Sequence, residues 1–406
     1  MNTREYIVRV LTRVIYEHGY AGLIMRSEKN VPESEMAFVS EAVYGVLRNY
    51  SYLEEQWHRF ARKASRRSAV LLDFGIYQMF FMDSVPAYAA VNETVRLAGR
   101  ERGFINAVLH RVMDAGLTDV SGDDLESTAR RTSHPLWLMN IWKAHYGAEN
   151  AIKIAEADQR KRPVTGRINT LRTTSEEISR DSSVHFINDI SFRYDGRITS
   201  MMAFKEGKVL VQDYHSASVP LLMQLKPGMK VLDTCAAPGT KTQEMAMLMQ
   251  NKGSITACDL YEARCSLIDK LMDETGTVIV SSKQMDAAVP HVYPDETFDR
   301  ILIDAPCSGL GDLSRKPEIR LHLKPENLDE LSRTQAGILN ACSNYLKKGG
   351  IMVYSTCTLN RKENEGQIKA FLNTHSDFEL LSEKTMFPFE DDADGFYAAV
   401  LKRKEL

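Results

Sequence analysis

The sequence predicts a doubly wound α/β domain with a seven-stranded sheet, preceded by an all-helical front end. Three observations carry this. From Met229 onward short apolar runs alternate with amphipathic helical stretches, the pattern of a parallel sheet with crossover helices. From Arg4 to about Gly116 apolar residues recur only at three- and four-residue spacing, as in helices that bury one face. Between these regions, from Val164 to Gln212, runs such as Arg167-Ile168-Asn169-Thr170-Leu171 alternate in the manner of short strands. A chain of 406 residues is too long for one ordinary core. The signals divide it into a helical domain over 1–125, a linker helix with a small α/β module over 126–215, and the doubly wound domain over 216–406.

In the front end, Ile7, Val10, Leu11, Val14 and Ile15 mark one apolar face. Gly19, Gly22, Pro32, Ser34, Pro86 and Gly103 punctuate the pattern, giving a bundle of roughly five to seven helices. The most apolar stretch, Val70 to Val91, is broken by Asp73, Asp83 and Pro86, so it reads as core helices and not as a membrane span. The opening residues Met1-Asn2-Thr3-Arg4-Glu5 lead into an amphipathic pattern, and no secretory signal is expected. Asp123, Asp124 and Glu126 form a polar break, after which a helical segment opens at Ser133.

The formal net charge of −3 is unevenly spread, because residues 1–111 hold 15 Lys/Arg against 12 Asp/Glu. A mildly basic front end favours a polyanionic partner. Arg59, Arg62, Lys63, Arg66 and Arg67 fall at i, i+3, i+4, i+7 and i+8, which places five cations on a single helical face. Such a stripe is either a solvated surface or a track for RNA phosphates.

In a doubly wound sheet ligands bind beyond the carboxyl ends of the strands, so the residues that stop each strand are informative. After the first comes Val231-Leu232-Asp233-Thr234-Cys235-Ala236-Ala237-Pro238-Gly239-Thr240, where small residues and Gly239 let the backbone approach a ligand at a helix N-terminus. Asp259 ends the second strand, 20 residues after Gly239, a spacing suited to a nucleoside ribose. Asp286 follows the third strand and Asp304 ends the fourth. Neither the dinucleotide pattern GxGxxG nor the phosphate loop GxxxxGK[ST] is present. An adenosine cofactor lacking a pyrophosphate remains, and S-adenosylmethionine is that cofactor.

The six cysteines, Cys235, Cys258, Cys265, Cys307, Cys342 and Cys357, show no paired CxxC spacing. This argues against zinc and against a secreted disulfide framework, leaving reduced thiols in a cytoplasmic protein. Cys307 follows strand four and Cys357 ends strand five, so both reach the rim that holds Asp304. Cytosine C5 becomes nucleophilic when a thiolate adds to C6 while an acid supports N3. A cysteine, an acid and an electrophilic methyl donor are required together, and this rim offers all three. Spacing leaves open which thiol attacks.

The strings CAAPGTK, DAPCSGLG, RKPEIR and YSTCTLNRKENE, with FINAVLHRV from Phe104 in the front end, resemble the Nol1/Nop2/Sun family of RNA cytosine-C5 methyltransferases. The similarity is greatest to the Sun-type small-subunit rRNA enzymes that carry a fused domain like the antitermination factor NusB. The resemblance implies a class I, Rossmann-like methyltransferase domain and an RNA-binding NusB-like domain. It implies that Cys235, Ala236, Ala237, Pro238, Gly239, Thr240 and Lys241 wrap the cofactor, with Asp259, Asp286 and Asp304 at the strand ends and Arg264 near the ribose. It also implies Cys357 as nucleophile, with Cys307 assisting proton loss from C5. The expected partner is small-subunit rRNA not yet assembled with ribosomal proteins, bound by a monomer. The alternatives are the same chemistry on tRNA or another RNA, a non-catalytic RNA-binding antitermination factor and, more distantly, a nicotinamide oxidoreductase. Three positions depart from the family pattern: Thr240 stands where a second glycine is usual, Ser314 where arginine is common, and Leu321 where tryptophan is common. The last two are expected in a segment that faces the substrate.

Overall fold

The computed structural model describes residues 2–28 and 31–405. The chain forms two compact units, Met1–Lys161 with Leu313–Leu323, and Arg162–Asp312 with Lys324–Leu406.

The first unit is helical. Helices α1 (Thr3–Glu17), α2 (Ala21–Ser27), α3 (Met36–Arg48), α4 (Tyr50–His58), α5 (Arg66–Phe81), α6 (Ala87–Leu97) and α7 (Arg102–Ala115) are followed by α8 (Leu125–Arg131), α9 (Leu136–Tyr146) and α10 (Ala148–Gln159). Asn2 caps α1 by accepting the Arg4 N–H at 2.9 Å, which satisfies one of the N–H groups a helix start leaves unpaired. The faces read from the sequence are buried as expected: Ile7, Val10, Leu11 and Val14 share one core with Val43, Leu47, Phe74, Ile76 and Leu109. The apolar stretch from Val70 to Val91 supplies α5 and the start of α6. Among the described residues no helix is long and apolar enough to cross a membrane.

One expectation fails here. The five cations from Arg59 to Arg67 do not share a helical face, because α4 ends at His58 and α5 begins at Arg66. Ser65 caps the new helix through the Ser68 N–H at 3.2 Å. Phe60, Ala61 and Ala64 turn inward onto the core, so burial of these small and aromatic side chains bends the chain where the charge spacing implied a straight helix.

The segment Leu313–Leu323 packs within this unit. Glu318 accepts the Ala21 N–H at the start of α2 (3.0 Å). Arg320 is buried and donates to the carbonyls of Thr132 and Arg48, both at 2.8 Å. Ser314 and Leu321 therefore do not present a substrate surface: the Ser314 hydroxyl donates to the Arg160 carbonyl at 2.7 Å, and Leu321 packs on the helical core. Arginine or tryptophan is not needed where the contact is to backbone and apolar side chains.

The second unit opens with a four-stranded antiparallel sheet of order β2-β3-β1-β4, formed by β1 (Thr165–Ile168), β2 (Val184–Phe186), β3 (Ser191–Tyr194) and β4 (Val209–Val211). The main sheet has seven strands in the order β10-β11-β9-β8-β5-β6-β7. They are β5 (Lys230–Asp233), β6 (Ser254–Asp259), β7 (Val280–Gln284), β8 (Phe298–Asp304), β9 (Leu346–Thr356), β10 (Phe378–Met386) and β11 (Phe396–Arg403). β5 to β9 pair in parallel, and β11 lies antiparallel to both β9 and β10. Period-two alternation sends Leu232, Ile301, Ile303, Met352 and Tyr354 to one core and Val231, Leu302 and Val353 to another. Both faces of the central strands are thus buried, as a doubly wound sheet requires. The order reverses between β5 and β8, the switch point at which a doubly wound sheet has its ligand crevice.

Candidate active site

At that crevice β5 runs into the turn Cys235–Gly239 and then into the helix Thr240–Leu248. Gly239 has φ +106°, and a Cβ there would lie 3.3 Å from Met272 and 3.4 Å from the backbone of Ile268. Only glycine permits both this conformation and this approach to the helix Glu262–Thr275. Thr240 is the first residue of the helix, so its backbone, which any residue supplies, faces the turn.

A buried guanidinium holds the helix in place. Arg167, on β1, donates to Gln212 at 2.7 Å, to Gln243 at 2.6 Å and to the Thr240 carbonyl at 3.3 Å, and lies 3.4 Å from Glu244. Burial pushes the Glu244 carboxyl up to about 7 against the opposing pull of Arg167. The small module thereby positions the turn, through residues that sequence reasoning passed over because an Arg in a strand looks solvent-facing.

Asp259 stops β6 and is buried; Arg264 lies 3.3 Å from its carboxylate and donates to the Ala237 carbonyl at 3.1 Å. This links the strand-end acid to the glycine turn, as an adenosine site needs. Asp286 is exposed after β7, with its carboxylate accepting the Ala288 N–H at 2.9 Å. It is tied to the rim through its neighbour, by the Met285 N–H to Asp259 carbonyl bond (2.9 Å). Asp233 is a further acid at this place. One of its oxygens accepts from Thr242 at 2.7 Å, the other is buried without a hydrogen-bond partner, and burial pushes its carboxyl up to about 7. An unsatisfied buried acceptor beside a helix N-terminus, with a paired acid on the next strand, fits a cationic adenosyl donor.

Asp304, at the end of β8, accepts from Lys241 at 2.7 Å and from Ser355 at 2.7 Å. Burial pulls the Lys241 ammonium down, but Asp304 and then Cys357 outweigh it and the net effect is upward, so this lysine stays charged. The sulfurs of Cys307 and Cys357 are 3.4 Å apart, and both residues are part-exposed. The Cys307 thiol is held well above its usual range, first by its hydrogen bond to Cys357, then by burial and by the charges of Cys357 and Glu363. Either sulfur can donate in the bond that joins them. Cys235, at the turn, is part-exposed, and its thiol is pushed up by desolvation. Cys258 and Cys342 are core residues pushed up to about 12 by burial, inert hydrophobes in practice.

Side chains outside the predicted set hold the two thiol loops. Asn364 accepts from Thr356 at 2.6 Å and donates to the Thr358 carbonyl at 2.9 Å, bracketing Cys357. Gln335 donates to the Pro306 carbonyl at 2.9 Å and to Glu363 at 3.0 Å. The Gly311 N–H reaches the Cys357 carbonyl at 3.0 Å. The string that carries Glu363 and Asn364 was legible; their inward orientation was not.

The cations of the front end belong to the other unit. Arg59 donates to the Gly116 carbonyl at 2.8 Å, Arg67 pairs with Glu5 at 2.9 Å, and Arg66 lies over the Tyr16 ring. Arg62 and Lys63 are exposed.

Comparison with known proteins agrees with this geometry. The family described as 16S rRNA methyltransferase RsmB/F matches residues 220–402, the NusB family matches 1–114, and a ferredoxin-like domain of RsmF/B-like methyltransferases matches 134–181. The chain is similar to a probable ribosomal RNA small subunit methyltransferase B of Bacillus subtilis, 32% identical over 99% of each chain. It is 31% identical to the ribosomal RNA small subunit methyltransferase B of Vibrio cholerae, over 100% of this chain and 98% of that one. A crystal structure of a methyltransferase homologue from Pyrococcus horikoshii superposes with a TM-score of 0.62 at 27% identity, covering 70% of this chain and all of the other. With a NusB domain in front and the methyltransferase signature over the doubly wound sheet, the chain belongs to the RsmB/F family of 16S rRNA methyltransferases, whose methyl donor is S-adenosylmethionine.

Proposed function

We propose that this chain methylates C5 of a cytosine in 16S rRNA through a covalent adduct between Cys357 and C6 of the base. The observation that carries the reading is the 3.4 Å approach of Cys307 and Cys357 on the rim where Lys241 and Asp304 are paired. S-adenosylmethionine supplies an electrophilic methyl group when bound, and the turn Cys235–Lys241 with Asp259, Arg264 and Asp286 is the place to hold it.

The Asp304–Lys241 pair offers an acceptor and a donor, the complement of the N4 amine and N3 of cytosine. A hydrogen bond from Lys241 to N3 draws electron density from C6 and holds the charge that develops on N3, so the Cys357 thiolate can add to C6 and the C5–C6 electron pair becomes available to the methyl group. After methyl transfer the proton on C5 must leave, and the electrons of that C–H bond restore the double bond as the sulfur departs from C6. Cys307 suits this second role. While Cys357 is free, its bond to Cys307 and its charge hold the Cys307 thiol above the usual range; bonded to C6, Cys357 carries no charge, and Cys307 is better able to take the C5 proton as a base.

The target base has to leave its stack to reach the rim, which favours RNA not yet assembled with ribosomal proteins. We place the protein in the cytoplasm, as a monomer, with residues 1–125 as the RNA-binding domain and the exposed Arg62 and Lys63 among its phosphate contacts. The test is transfer of label from methyl-tritiated cofactor to free 16S rRNA, to assembled small subunits and to tRNA. Label in 5-methylcytidine of free 16S rRNA is expected. Label in tRNA alone would move the substrate, and no label in any RNA would return the chain to a binding role.

A further inference from the structure

Two loops carry the reacting sulfurs, and one buried carboxylate lies between them. Glu363 has no solvent exposure. Its Oε1 accepts from the Ser308 hydroxyl at 2.6 Å and from Asn360 Nδ2 at 2.9 Å. Its Oε2 accepts from the Ser308 N–H at 2.9 Å and from Gln335 Nε2 at 3.0 Å. Ser308 follows Cys307 directly, and Asn360 lies three residues beyond Cys357. The four donors are all neutral. A buried carboxylate balanced by neutral donors alone is costly to keep, and an amide or an apolar residue of similar volume would fill the space. What a carboxylate adds is four acceptor directions at one point together with a negative charge.

The surrounding bonds share this purpose. Ser308 and Thr358 hydroxyls meet at 2.7 Å, joining the residues that follow each cysteine. The Tyr354 hydroxyl donates to the Glu363 carbonyl at 2.7 Å, which fixes the backbone that presents the carboxylate.

We infer that Glu363 is a positioning residue for methyl transfer, a clamp that locks the Cys307 loop to the Cys357 loop and so sets the separation of the two sulfurs. The inference rests on reading those sulfurs as the reacting thiols. Its charge also adds to the forces that keep the Cys307 proton in place, so the clamp acts on geometry and on the order of ionisation together. Glu363 does not touch the substrate; it acts through Ser308 and Asn360.

The test uses full-length wild type and Glu363→Gln, with two readouts. The first is the pH dependence of alkylation of Cys307 and Cys357 by iodoacetamide, resolved by peptide mass spectrometry, which needs neither RNA nor methyl donor. The second is kcat and KM on free 16S rRNA. An amide at Oε2 would set its N–H groups against the Ser308 N–H and Gln335. Glu363→Gln is therefore expected to lower the alkylation midpoint of Cys307 by about 1 pH unit. It should lower kcat about 10- to 100-fold, as misplacement of a reacting group does, with KM for RNA changed less than about threefold. Unchanged alkylation and unchanged kcat in a folded variant would overturn the clamp, as would a loss confined to KM. If wild type methylates no RNA, the functional reading fails, but the alkylation profiles still decide the clamp: a shifted Cys307 midpoint supports it and coincident profiles refute it. Should Glu363→Gln not fold, Ser308→Ala carries the test, since it removes one bond to Glu363 and the bond to Thr358. The same direction of change supports the clamp, and coincidence with wild type refutes it.

Discussion

Cys307 and Cys357 illustrate what a single residue's surroundings decide. Both are half-buried thiols on one rim, and spacing along the chain cannot rank them. The hydrogen bond between them couples the two without ranking them, because either sulfur can be its donor, while the neighbouring Glu363 charge bears on Cys307. Gly311 shows the same dependence on surroundings. It is bonded to the Cys357 carbonyl through its N–H and accepts the Gly395 N–H at 2.7 Å, while a Cβ added there would meet the Gly395 oxygen at 1.9 Å. Gly311→Ala must push two backbones apart. It is predicted to cost about 1–3 kcal/mol of stability, the usual penalty of overpacking, and to lower methyl transfer by loosening the Cys357 loop. Thermal denaturation and single-turnover kinetics read the two effects, and a variant matching wild type in both would contradict the contact.

At the scale of elements, β5, β6 and β8 were legible because each is a largely apolar run that ends in an aspartate, Asp233, Asp259 and Asp304. β7 is the exception: the apolar string from Thr277 points to a strand, yet the strand begins at Val280. The reason is that β7 is an edge held only by β6, and pairing starts at Ile255 with Val280, while the Val278 N–H goes to Asn251 at 3.1 Å. The cation stripe failed for a related reason, since Ser65 and its inward-facing neighbours end one helix and begin another. The place of Leu313–Leu323 in the helical unit was not legible at all, because a buried Arg320 and Glu318 look like surface charges until their partners are known. That segment has a pH signature. The His134 imidazole, 3.1 Å from Arg320, is pulled down to about 4 by burial first and then by Arg320. Unfolded, it takes up a proton near pH 6.5. Between about 6.5 and about 4 the unfolded state thus binds more protons, so this contribution to stability is full above pH 6.5 and is lost as pH falls through the window. Denaturation midpoints of wild type should fall more steeply across that range than those of His134→Gln. Parallel curves would contradict it.

At the scale of the whole molecule, the proposed function has a methyltransferase rim and a NusB-type front end serve one RNA. Of the five cations from Arg59 to Arg67, Arg59 and Arg67 are engaged with a carbonyl and with Glu5, and Arg66 is over Tyr16, whereas Arg62 and Lys63 are exposed in the segment between α4 and α5. Double substitution Arg62→Ala with Lys63→Ala is predicted to weaken RNA binding and to reduce the slope of log affinity against log salt by about 1 for each phosphate that is no longer neutralised. Cofactor affinity should not change. An unaltered slope would move the RNA track elsewhere on the molecule.

In the proposed chemistry Cys357 bonds to the base and Cys307 frees it. The most direct measurement incubates wild type, Cys307→Ala, Cys357→Ala and the double variant with 16S rRNA and methyl donor, then resolves protein on a denaturing gel. A stable protein–RNA band is expected for Cys307→Ala alone, with methylated cytosine at the crosslink, and none for either variant lacking Cys357. A band that persists in Cys357→Ala, or that requires Cys307, would contradict it.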